Sequence, residues 1–457
     1  MLVMKFGGTS VGTGERIAGV AELVASRLSE GPFVVVSAMG GVTDALLALS
    51  RAACEGDRAA AAAAIATLGE KHRQTVEALD LEDGVAAALR EEISREVARL
   101  ESLATGVSLL GELSFRTTDA ILAAGELLST ALTAAALERR GVAVARVDPR
   151  EWMATDGTHG SATPDERALA ANAATRLLPE HAAGRVVVTG GFVGAAPDGS
   201  TTTLGRGGSD FSAALLGAAL HDAGAPVEAI EIWTDVDGIL TADPRLVPQA
   251  RLVPEVGYAE AAELSFFGAK VLHPATIRPA IARNLLVRVL NTLRPGAPGT
   301  TVLAEAPGEG VRALAMRTGV AALFVGSPRM LLAHGYAARV FSVFDRHGVA
   351  VDVIATSEVS ISITVDAKAP LEALERELST FAEVTVLRDL AVVSVVGRRL
   401  RTTAGVAAKV FGALGDINVV LISQGASETN LTFVVQAPDA PEAIRRLHRE
   451  LFEKEAA

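Results

Sequence analysis

Cysteine, aromatic residues and positive charge are all scarce in this 457-residue sequence. One cysteine, Cys54, excludes an intramolecular disulfide framework and a cysteine-rich zinc site. No uninterrupted apolar run reaches the ~20 residues that a membrane span needs, so we expect no membrane partner. The formal net charge of −12 argues against a surface for nucleic acid or anionic lipid, so acidic ligands must be small and locally enclosed.

Lysine is also rare, because arginine supplies most of the 42 basic residues. Lysine occurs only at positions 5, 71, 270, 368, 409 and 454, so Lys5 and Lys270 call for a chemical explanation. The first residues, MLVMKFGGTS, lack the charged start and long apolar stretch of a secretory signal. We therefore expect a cytoplasmic location.

Short apolar runs alternate with helical stretches through the first 300 residues, which predicts an α/β domain over 1–300. The runs lie at 2–6, 33–37, 143–147, 185–189, 229–234 and 286–290. Strands that are apolar nearly throughout indicate a sheet covered by helices on both faces. An alanine-rich stretch at 57–103 reads as a helical excursion, and proline and glycine gather at 292–309, which suggests a boundary.

Two smaller α+β modules follow that boundary. Residues 319–389 read as a complete β-α-β-β-α-β module, whereas residues 390–457 repeat the layout without a final strand. The orphan segment 311–317 could supply the missing strand, so the first module would be inserted into the second. Paired modules of this kind usually bind ligands or each other, although two structural appendages remain an alternative.

Two glycine-rich loops follow predicted strands, at 5–10 and 37–43, and a third, at 204–210, precedes an apolar helix. Because the carboxyl ends of parallel strands share one edge of a sheet, these loops predict a pocket whose backbone N–H groups bind anions. The first loop is not a Walker motif, since GxxxxGK[ST] is absent and Lys5 precedes the glycines. Plain alternatives stay open: turn glycines, an N-cap at Ser209 and a first-turn charge at Asp210.

The segments KFGGTSVG, SAMGGVTD, GELLS, TTTLGRGGSD, WTDVDGILTADPR and FGAKVLHP occur in order and together resemble the signature set of aspartate kinases. The similarity extends over the whole chain and is closest to the monofunctional, lysine-sensitive type. It implies a carbamate kinase-like αβα sandwich followed by two ferredoxin-like ACT modules. It also implies transfer of the γ-phosphoryl of Mg-ATP to the side-chain carboxylate of L-aspartate, with Mg²⁺ carried by the nucleotide and no separate metal site.

The resemblance also implies roles for the loop residues. Lys5 would neutralise charge on the transferring phosphoryl group, and Asp210 would organise Lys5 or the metal-phosphate cluster. Arg206 would pair with the α-carboxylate of aspartate and Glu126 with its α-ammonium. The backbone of Gly7 and Gly8 would hold phosphate oxygens, and the substrate pocket would be completed by Ser37, Thr43, Phe192 and Ser209.

On the nucleotide side, the residues that match the family's ATP contacts are Thr234, Asp235, Arg245 and Lys270. Two positions depart from the pattern. Leu240 stands where many lysine-sensitive members have tyrosine, which removes a ring contact with the nucleotide. Asp237 replaces a frequent proline.

In the first ACT module, the effector-binding stretch of lysine-inhibited members is matched by Met330, Asp352, Thr356, Ser357 and Glu358. Leu332 and Ala333 stand where that type usually has histidine and serine, so lysine, threonine or no effector all stay open. ACT modules generally pair across subunits, so the resemblance implies a homodimer formed through them.

Two rival functions remain on the sequence alone. One is another amino-acid kinase of the same fold, which a test with aspartate and glutamate would distinguish. The other is a catalytically silent amino-acid sensor, against which the intact set of Lys5, Glu126, Arg206 and Asp210 argues.

Overall fold

The structure, a computed structural model, describes residues 1–205, 207–267, 274–327 and 334–454. It divides into two compact units. The first unit comprises Met1–Gly238 and Val271–Ala304, and the second comprises Ile239–Lys270 and Glu305–Ala457. The predicted catalytic domain of 1–300 therefore contains a stretch, 239–270, that groups with the second unit.

The first unit is built on a largely parallel sheet. Its strands are β1 (Leu2–Phe6), β2 (Pro32–Val36), β3 (Val144–Val147), β4 (Val186–Gly190), β5 (Val193–Ala195), β6 (Thr201–Thr203), β7 (Ala229–Thr234), β9 (Leu286–Asn291) and β10 (Thr300–Leu303). Within this unit the sheet runs in the order β3-β4-β2-β1-β7-β9-β10. Only β10 is antiparallel to its neighbour there, and β5 and β6 form a separate hairpin.

Helices of the first unit pack around this sheet. They are α1 (Gly14–Ser26), α2 (Val42–Cys54), α3 (Arg58–Ala78), α4 (Asp83–Leu110), α5 (Phe115–Arg139), α6 (Pro149–Trp152), α7 (Glu166–Asn172), α8 (Leu178–Ala182), α9 (Gly208–Asp222) and α11 (Pro274–Ile281). All residues of β1, β2 and β4 are buried, as the continuous apolar runs predict for a sheet covered on both faces. The predicted αβα sandwich is confirmed.

The long helix α5 forms part of the core of the first unit. Among the described helices it has the length and hydropathy of a membrane span, yet 89% of its most apolar window is buried inside the protein. Its apolar face packs in the core cluster with residues of β1 and β2, such as Met4 and Val34. Burial of this extent is typical of a core helix.

The second unit contains β8 (Glu255–Gly257), α10 (Tyr258–Phe266), β11 (Gly310–Gly326), α12 (Tyr336–Arg346), β12 (Ile354–Thr356), β13 (Ser360–Asp366), α13 (Leu371–Leu378), β14 (Glu383–Arg398), α14 (Val406–Leu414), β15 (Leu421–Gln424), β16 (Asn430–Gln436) and α15 (Ala440–His448). Its antiparallel sheet runs in the order β12-β13-β11-β14-β16-β15. The predicted ferredoxin-like architecture is confirmed.

Two long strands, β11 and β14, pass through both α+β modules. The first half of β11, which contains the orphan segment 311–317, pairs with residues 392–398 of β14. Its second half pairs with residues 383–390, and a bulge separates the halves between Arg317 and Val320. The two modules thus share one central strand pair, on which β13 and β16 add from opposite sides.

Candidate active site

A cleft with a volume of about 660 Å³ lies in the first unit where β1, β2 and β4 end. It is lined by three glycine-rich loops and by one face of α5. Among its lining residues are eight that the sequence singles out: Lys5, Gly8, Ser37, Thr43, Glu126, Phe192, Ser209 and Asp210. Residues separated by up to 205 positions in sequence are therefore brought to one cavity.

The ion pair between Lys5 and Asp210 is the electrostatic centre of this cleft. Nζ of Lys5 lies 2.5 Å from Oδ1 of Asp210, and their side chains are 10% and 17% exposed. Lys5 is the next-to-last residue of strand β1, while Asp210 lies in the first turn of α9. The amino end of a helix carries partial positive charge, so the Lys5 ammonium and this helix end both favour anions in the cleft.

The first two glycine-rich loops are held together by backbone contacts. The N–H of Gly40 donates to the carbonyl oxygen of Gly8 at 2.8 Å, and Lys71 donates to the carbonyl of Gly40. A Cβ atom at Gly8 would lie 2.8 Å from the carbonyl oxygen of Ala38, which is too close for any side chain. Glycine is therefore required for the approach of these loops.

Glu126 contributes a buried carboxyl group to the cleft. It is 3% exposed, and its Oε2 atom has no hydrogen-bond partner among the described residues. Burial raises the pKa of Glu126 to about 8, although the Ala38 N–H and the charge of Lys5 both act in the opposite direction. The group is therefore largely protonated at pH 7 and has to lose its proton before it can pair with a cation.

Phe192 has a backbone conformation that few residues other than glycine adopt. Its φ is 64°, and its N–H donates to Oγ of Ser212 in α9 at 2.8 Å. A Cβ atom at Gly208 would lie 2.5 Å from Cδ2 of the Phe192 ring. The first residue of α9 thus has to be glycine for Phe192 to occupy its place in the cleft.

We expect Gly208→Ala to destabilise the protein and to raise the KM for the substrate of this cleft, because the new methyl group must displace Phe192. Gly19→Ala is the matched control, since Gly19 lies within α1 and its added Cβ meets nothing within 4 Å. There, alanine should stabilise the protein by about 0.5–1 kcal/mol. Thermal unfolding and steady-state kinetics measure both effects, and equal stabilisation by the two substitutions would contradict the expected clash.

Asp119 is a buried carboxylate of the cleft that the sequence does not reveal. It accepts hydrogen bonds from the hydroxyl of Thr203 (2.5 Å) and the N–H of Gly160 (2.9 Å), and it contacts Nδ1 of His159 at 3.0 Å. Asp119 thereby ties α5 to β6 and to the loop around residue 160. The available signal was its position seven residues before Glu126, two turns away on the same helical face.

The nucleotide residues predicted from the sequence fall in both units. In the first unit, Thr234 ends β7 and its hydroxyl donates to Oδ1 of the adjacent Asp235 at 3.2 Å. In the second unit, Arg245 is 86% exposed and is paired with Asp243 at 2.6 Å. Arg206 and Lys270 lie outside the described residues.

Asp237, the departure from the usual proline, has a visible structural role. Its carboxylate accepts a hydrogen bond from Nδ2 of Asn291 at 2.7 Å and pairs with Arg294. These contacts join the loop after β7 to the end of β9. The side-chain contacts of Asp237 therefore restrain this loop, as a rigid proline ring would do at the same position.

Of the effector residues, Asp352 is the one that the structure places in a half-buried ion pair. Its carboxylate pairs with the guanidinium of Arg317 from β11, and burial raises the pKa of Asp352 while Arg317 opposes that rise. Thr356, Ser357 and Glu358 are exposed at the turn between β12 and β13. Met330, Leu332 and Ala333 lie outside the described residues.

The described part of the chain contains no group of three or more His, Cys, Asp or Glu side chains that could hold a metal ion. The donor set of the cleft is one lysine, several hydroxyls, backbone N–H groups and isolated carboxylates. These groups suit a phosphate ligand better than a resident metal.

Two family profiles match the chain. The amino acid kinase family profile matches residues 1–291, and an ACT domain profile matches residues 325–376 and 393–451. Together with the cleft, these matches define the class as amino acid kinases that carry ACT domains.

Sequence identity to curated relatives narrows the family assignment. The chain is 39% identical to lysine-sensitive aspartokinase 3 of Escherichia coli, with 99% of each chain covered. It is 37% identical to chloroplastic aspartokinase 1 of Arabidopsis thaliana, covering 99% of this chain and 80% of the relative. The chain belongs to the aspartokinase family.

Solved structures agree with this assignment. The crystal structure of E. coli aspartokinase III in complex with aspartate and ADP, named as the R-state, matches with a TM-score of 0.84 at 39% identity. The match covers 99% of this chain and 100% of the E. coli chain. The complex of the same enzyme with lysine and aspartate, named as the T-state, matches with a TM-score of 0.82 and covers 99% of both chains.

Proposed function

We propose that the cleft of the first unit is where this aspartokinase transfers the γ-phosphoryl group of ATP to the side-chain carboxylate of L-aspartate. The observation that carries the proposal is the Lys5–Asp210 ion pair, which lies in the same cleft as the buried Glu126 and three glycine-rich loops. Such a cleft can bind an amino acid and neutralise phosphate charge at once.

The chemistry needs positioning and charge neutralisation rather than a strong base. A carboxylate oxygen of aspartate attacks the γ-phosphorus, the bond from that phosphorus to the β,γ-bridging oxygen breaks, and 4-phospho-L-aspartate and ADP form. The attacking carboxylate is already ionised, so no proton has to be removed. Lys5 lowers the repulsion between the two anions as they approach, and Asp210 holds the Lys5 ammonium in place.

Recognition of the amino acid is assigned to the residues around this pair. Glu126 binds the α-ammonium, because its buried oxygen lacks a partner among the described residues. The α-carboxylate is assigned to Arg206, whose sequence neighbours Gly205 and Gly207 line the cleft. The remaining pocket wall is assigned to Ser37, Thr43, Phe192 and Ser209.

The nucleotide is assigned to the loop glycines and to residues that follow β7. The backbone of Gly7 and Gly8 holds phosphate oxygens, and the side-chain contacts are Thr234, Asp235, Arg245 and Lys270. ATP enters as its magnesium complex, so the divalent cation belongs to the substrate.

The direct test is a hydroxamate assay with purified protein, ATP, a magnesium salt and either aspartate or glutamate. Hydroxylamine traps an acyl phosphate as its hydroxamate, so colour should develop with aspartate and not with glutamate. Equal product from glutamate would point to another amino acid kinase. ATP consumption without hydroxamate would overturn the proposed acceptor.

Regulation is assigned to the second unit, with ACT modules at 319–389 and at 311–317 plus 390–457. Asp352 stands two residues before β12, whereas the apolar Val419 stands two residues before β15 at the matching place of the second module. A half-buried acid suits the ammonium of an amino-acid effector, so the first module is the better candidate. The effector site is assigned to Met330, Asp352, Thr356, Ser357 and Glu358, with lysine or threonine as the ligand.

We expect Asp352→Asn to raise the half-inhibitory effector concentration by roughly tenfold or more, because a hydrogen bond to a charged group is lost. Uninhibited turnover should stay within about twofold of the parent. Inhibition curves with lysine and threonine, measured separately, test this expectation. Glu428→Gln is the matched control, since Glu428, like Asp352, pairs with an arginine but lies in the second module, outside the proposed effector site. Unchanged curves for Asp352→Asn would remove Asp352 from the effector site.

A homodimer through the ACT modules and a cytoplasmic location complete the proposal. The strands β12 and β15 form the two edges of the antiparallel sheet, and Ile354 and Ile422 are exposed on them. Edge strands with exposed apolar side chains can pair with a second chain. Light scattering on the purified protein measures the expected doubling of mass.

A further inference from the structure

The segment 239–253, which carries Arg245, is built into the second unit rather than into the sheet that precedes it. Ala242 and Val247 are buried in a core cluster with Leu314 of β11 and Phe433 of β16. Leu246 and Ala250 pack against the same cluster. The apolar side chains that flank Arg245 thus depend on the C-terminal module for their burial.

Backbone hydrogen bonds attach the same segment to β11. The N–H of Leu314 donates to the carbonyl oxygen of Thr241 at 2.8 Å, and Thr241 donates its own N–H to Arg251 at 2.8 Å. Leu240 and Leu252 form an antiparallel bridge beside this contact. The two arms of the segment are therefore held together, with residues 243–247 as the turn between them.

The hydroxyl of Thr241 connects this turn to the last helix. Its Oγ1 lies 2.9 Å from Nε2 of His448 in α15 and accepts a hydrogen bond from the N–H of Arg251 at 2.9 Å. His448 is fully buried, and its Nδ1 lies 2.9 Å from Oε1 of Glu453. With Nδ1–H donating to Glu453, Nε2 accepts from the Thr241 hydroxyl, so both ring nitrogens of His448 and the Thr241 hydroxyl have partners.

Arg245 is presented to solvent by the turn that these contacts fix. The side chain of Asp243 accepts from the N–H of Arg245 at 2.9 Å and from its guanidinium, and the N–H of Val247 donates to the carbonyl of Asp243. This turn has its own internal hydrogen bonds, but its orientation depends on the two arms and on Thr241. A change in the orientation of the turn would therefore displace the guanidinium of Arg245.

We propose that His448, acting through Thr241, is a positioning residue for nucleotide binding, because the pair fixes the turn that presents Arg245. This inference rests on the proposed contact of Arg245 with ATP. It makes ATP affinity depend on a histidine near the end of the regulatory unit, about 200 residues further along the chain. The aspartate-binding residues belong to other elements, so aspartate affinity should not share that dependence.

The test compares Thr241→Val with Thr241→Ser in the full chain. Valine removes the hydroxyl at nearly constant shape, and serine keeps it. Thr241→Val should raise the KM for ATP roughly 10- to 100-fold, since small displacements of a binding group have effects of this size, with the KM for aspartate within about twofold. Thr241→Ser should stay close to the parent in both constants. His448→Asn, which keeps a donor near the position of Nδ1, should reproduce the effect of valine without altering Thr241.

Three outcomes separate the possible failures. A normal KM for ATP in folded Thr241→Val and His448→Asn, with a raised value in Arg245→Ala, would overturn the positioning role alone. Equal increases in the KM for ATP and the KM for aspartate, together with a lower Tm, would show that His448 and Thr241 only stabilise the fold. That result would also overturn the positioning role. A normal KM for ATP in Arg245→Ala would instead refute the nucleotide contact itself. In the double variant, an effect no larger than that of either single substitution is expected, because both remove the same bond.

Discussion

Replacing Lys5 with alanine should lower kcat by roughly 10²-fold or more while changing the KM for aspartate much less. The Lys5 ammonium is nearly enclosed and lies against Asp210, so it acts on the charge that moves between ATP and the acceptor. Interactions that strengthen only as the reaction proceeds affect turnover rather than ground-state binding. Steady-state kinetics with each substrate varied in turn provide the measurement.

The control for Lys5 is another lysine of the same chain. Lys368 is exposed in the turn after β13, outside the proposed catalytic residues, so Lys368→Ala should leave kcat within about twofold. Circular dichroism should show that both variants are folded. A folded Lys5→Ala enzyme with normal kcat would remove Lys5 from the reaction, whatever its effect on substrate binding.

The second large effect is a pH dependence of the KM for aspartate, because the α-ammonium of aspartate pairs with the ionised form of Glu126. With a pKa of about 8, Glu126 is protonated at lower pH and has to lose that proton before it pairs with the α-ammonium. The KM for aspartate should therefore rise as pH falls from 9 to 6, by up to about tenfold per pH unit below 8. The KM for ATP should lack this dependence.

The matched variant is Glu126→Gln, which keeps the shape of the side chain and removes its titration. It should bind aspartate weakly, and its KM should be nearly independent of pH in the same range. A parent enzyme with a flat profile would contradict the proposed contact between Glu126 and the ammonium group. Retention of the pH dependence in Glu126→Gln would assign it to another residue.

Glu126 should also affect stability without ligand. Its folded-state pKa lies above the usual value of 4.5, so its contribution to stability is full below pH 4.5 and is lost as pH rises through 8. Glu126→Gln lacks this loss. Its free energy of unfolding relative to the parent should therefore increase between pH 5 and pH 8, by an amount on the order of 4 kcal/mol at most.

The fold was predictable because its signals are local. Continuous apolar strands and glycine-rich turns mark the sheet and its binding edge within a few residues of each other, as in residues 2–10. The loops that carry Lys5 and Asp210 each had a recognisable pattern. The loop after β1 follows a parallel strand, so its place at the sheet edge followed from the topology, whereas the loop that leads to Asp210 follows the separate hairpin of β5 and β6.

Asp119 and Thr241 could not be found in this way, because their roles arise from distant partners. Asp119 meets Thr203 and Gly160, and Thr241 meets His448, across long separations in the sequence. The grouping of 239–253 with the second unit has the same origin. Chain order suggested one domain to residue 300, whereas the burial of Ala242 and Val247 decides where that segment belongs.

The shared strands β11 and β14 have a consequence for synthesis on the ribosome. The first half of β11 pairs with residues 392–398, which are translated about 80 residues later. At the usual rate of about 5–20 residues per second, that half-strand waits several seconds for its partner. In the interval its backbone is open to pairing with a neighbouring nascent chain, so crowded polysomes should favour misassembly at this strand. A chaperone that binds the nascent chain would prevent most of this misassembly in the interval between the synthesis of β11 and that of β14.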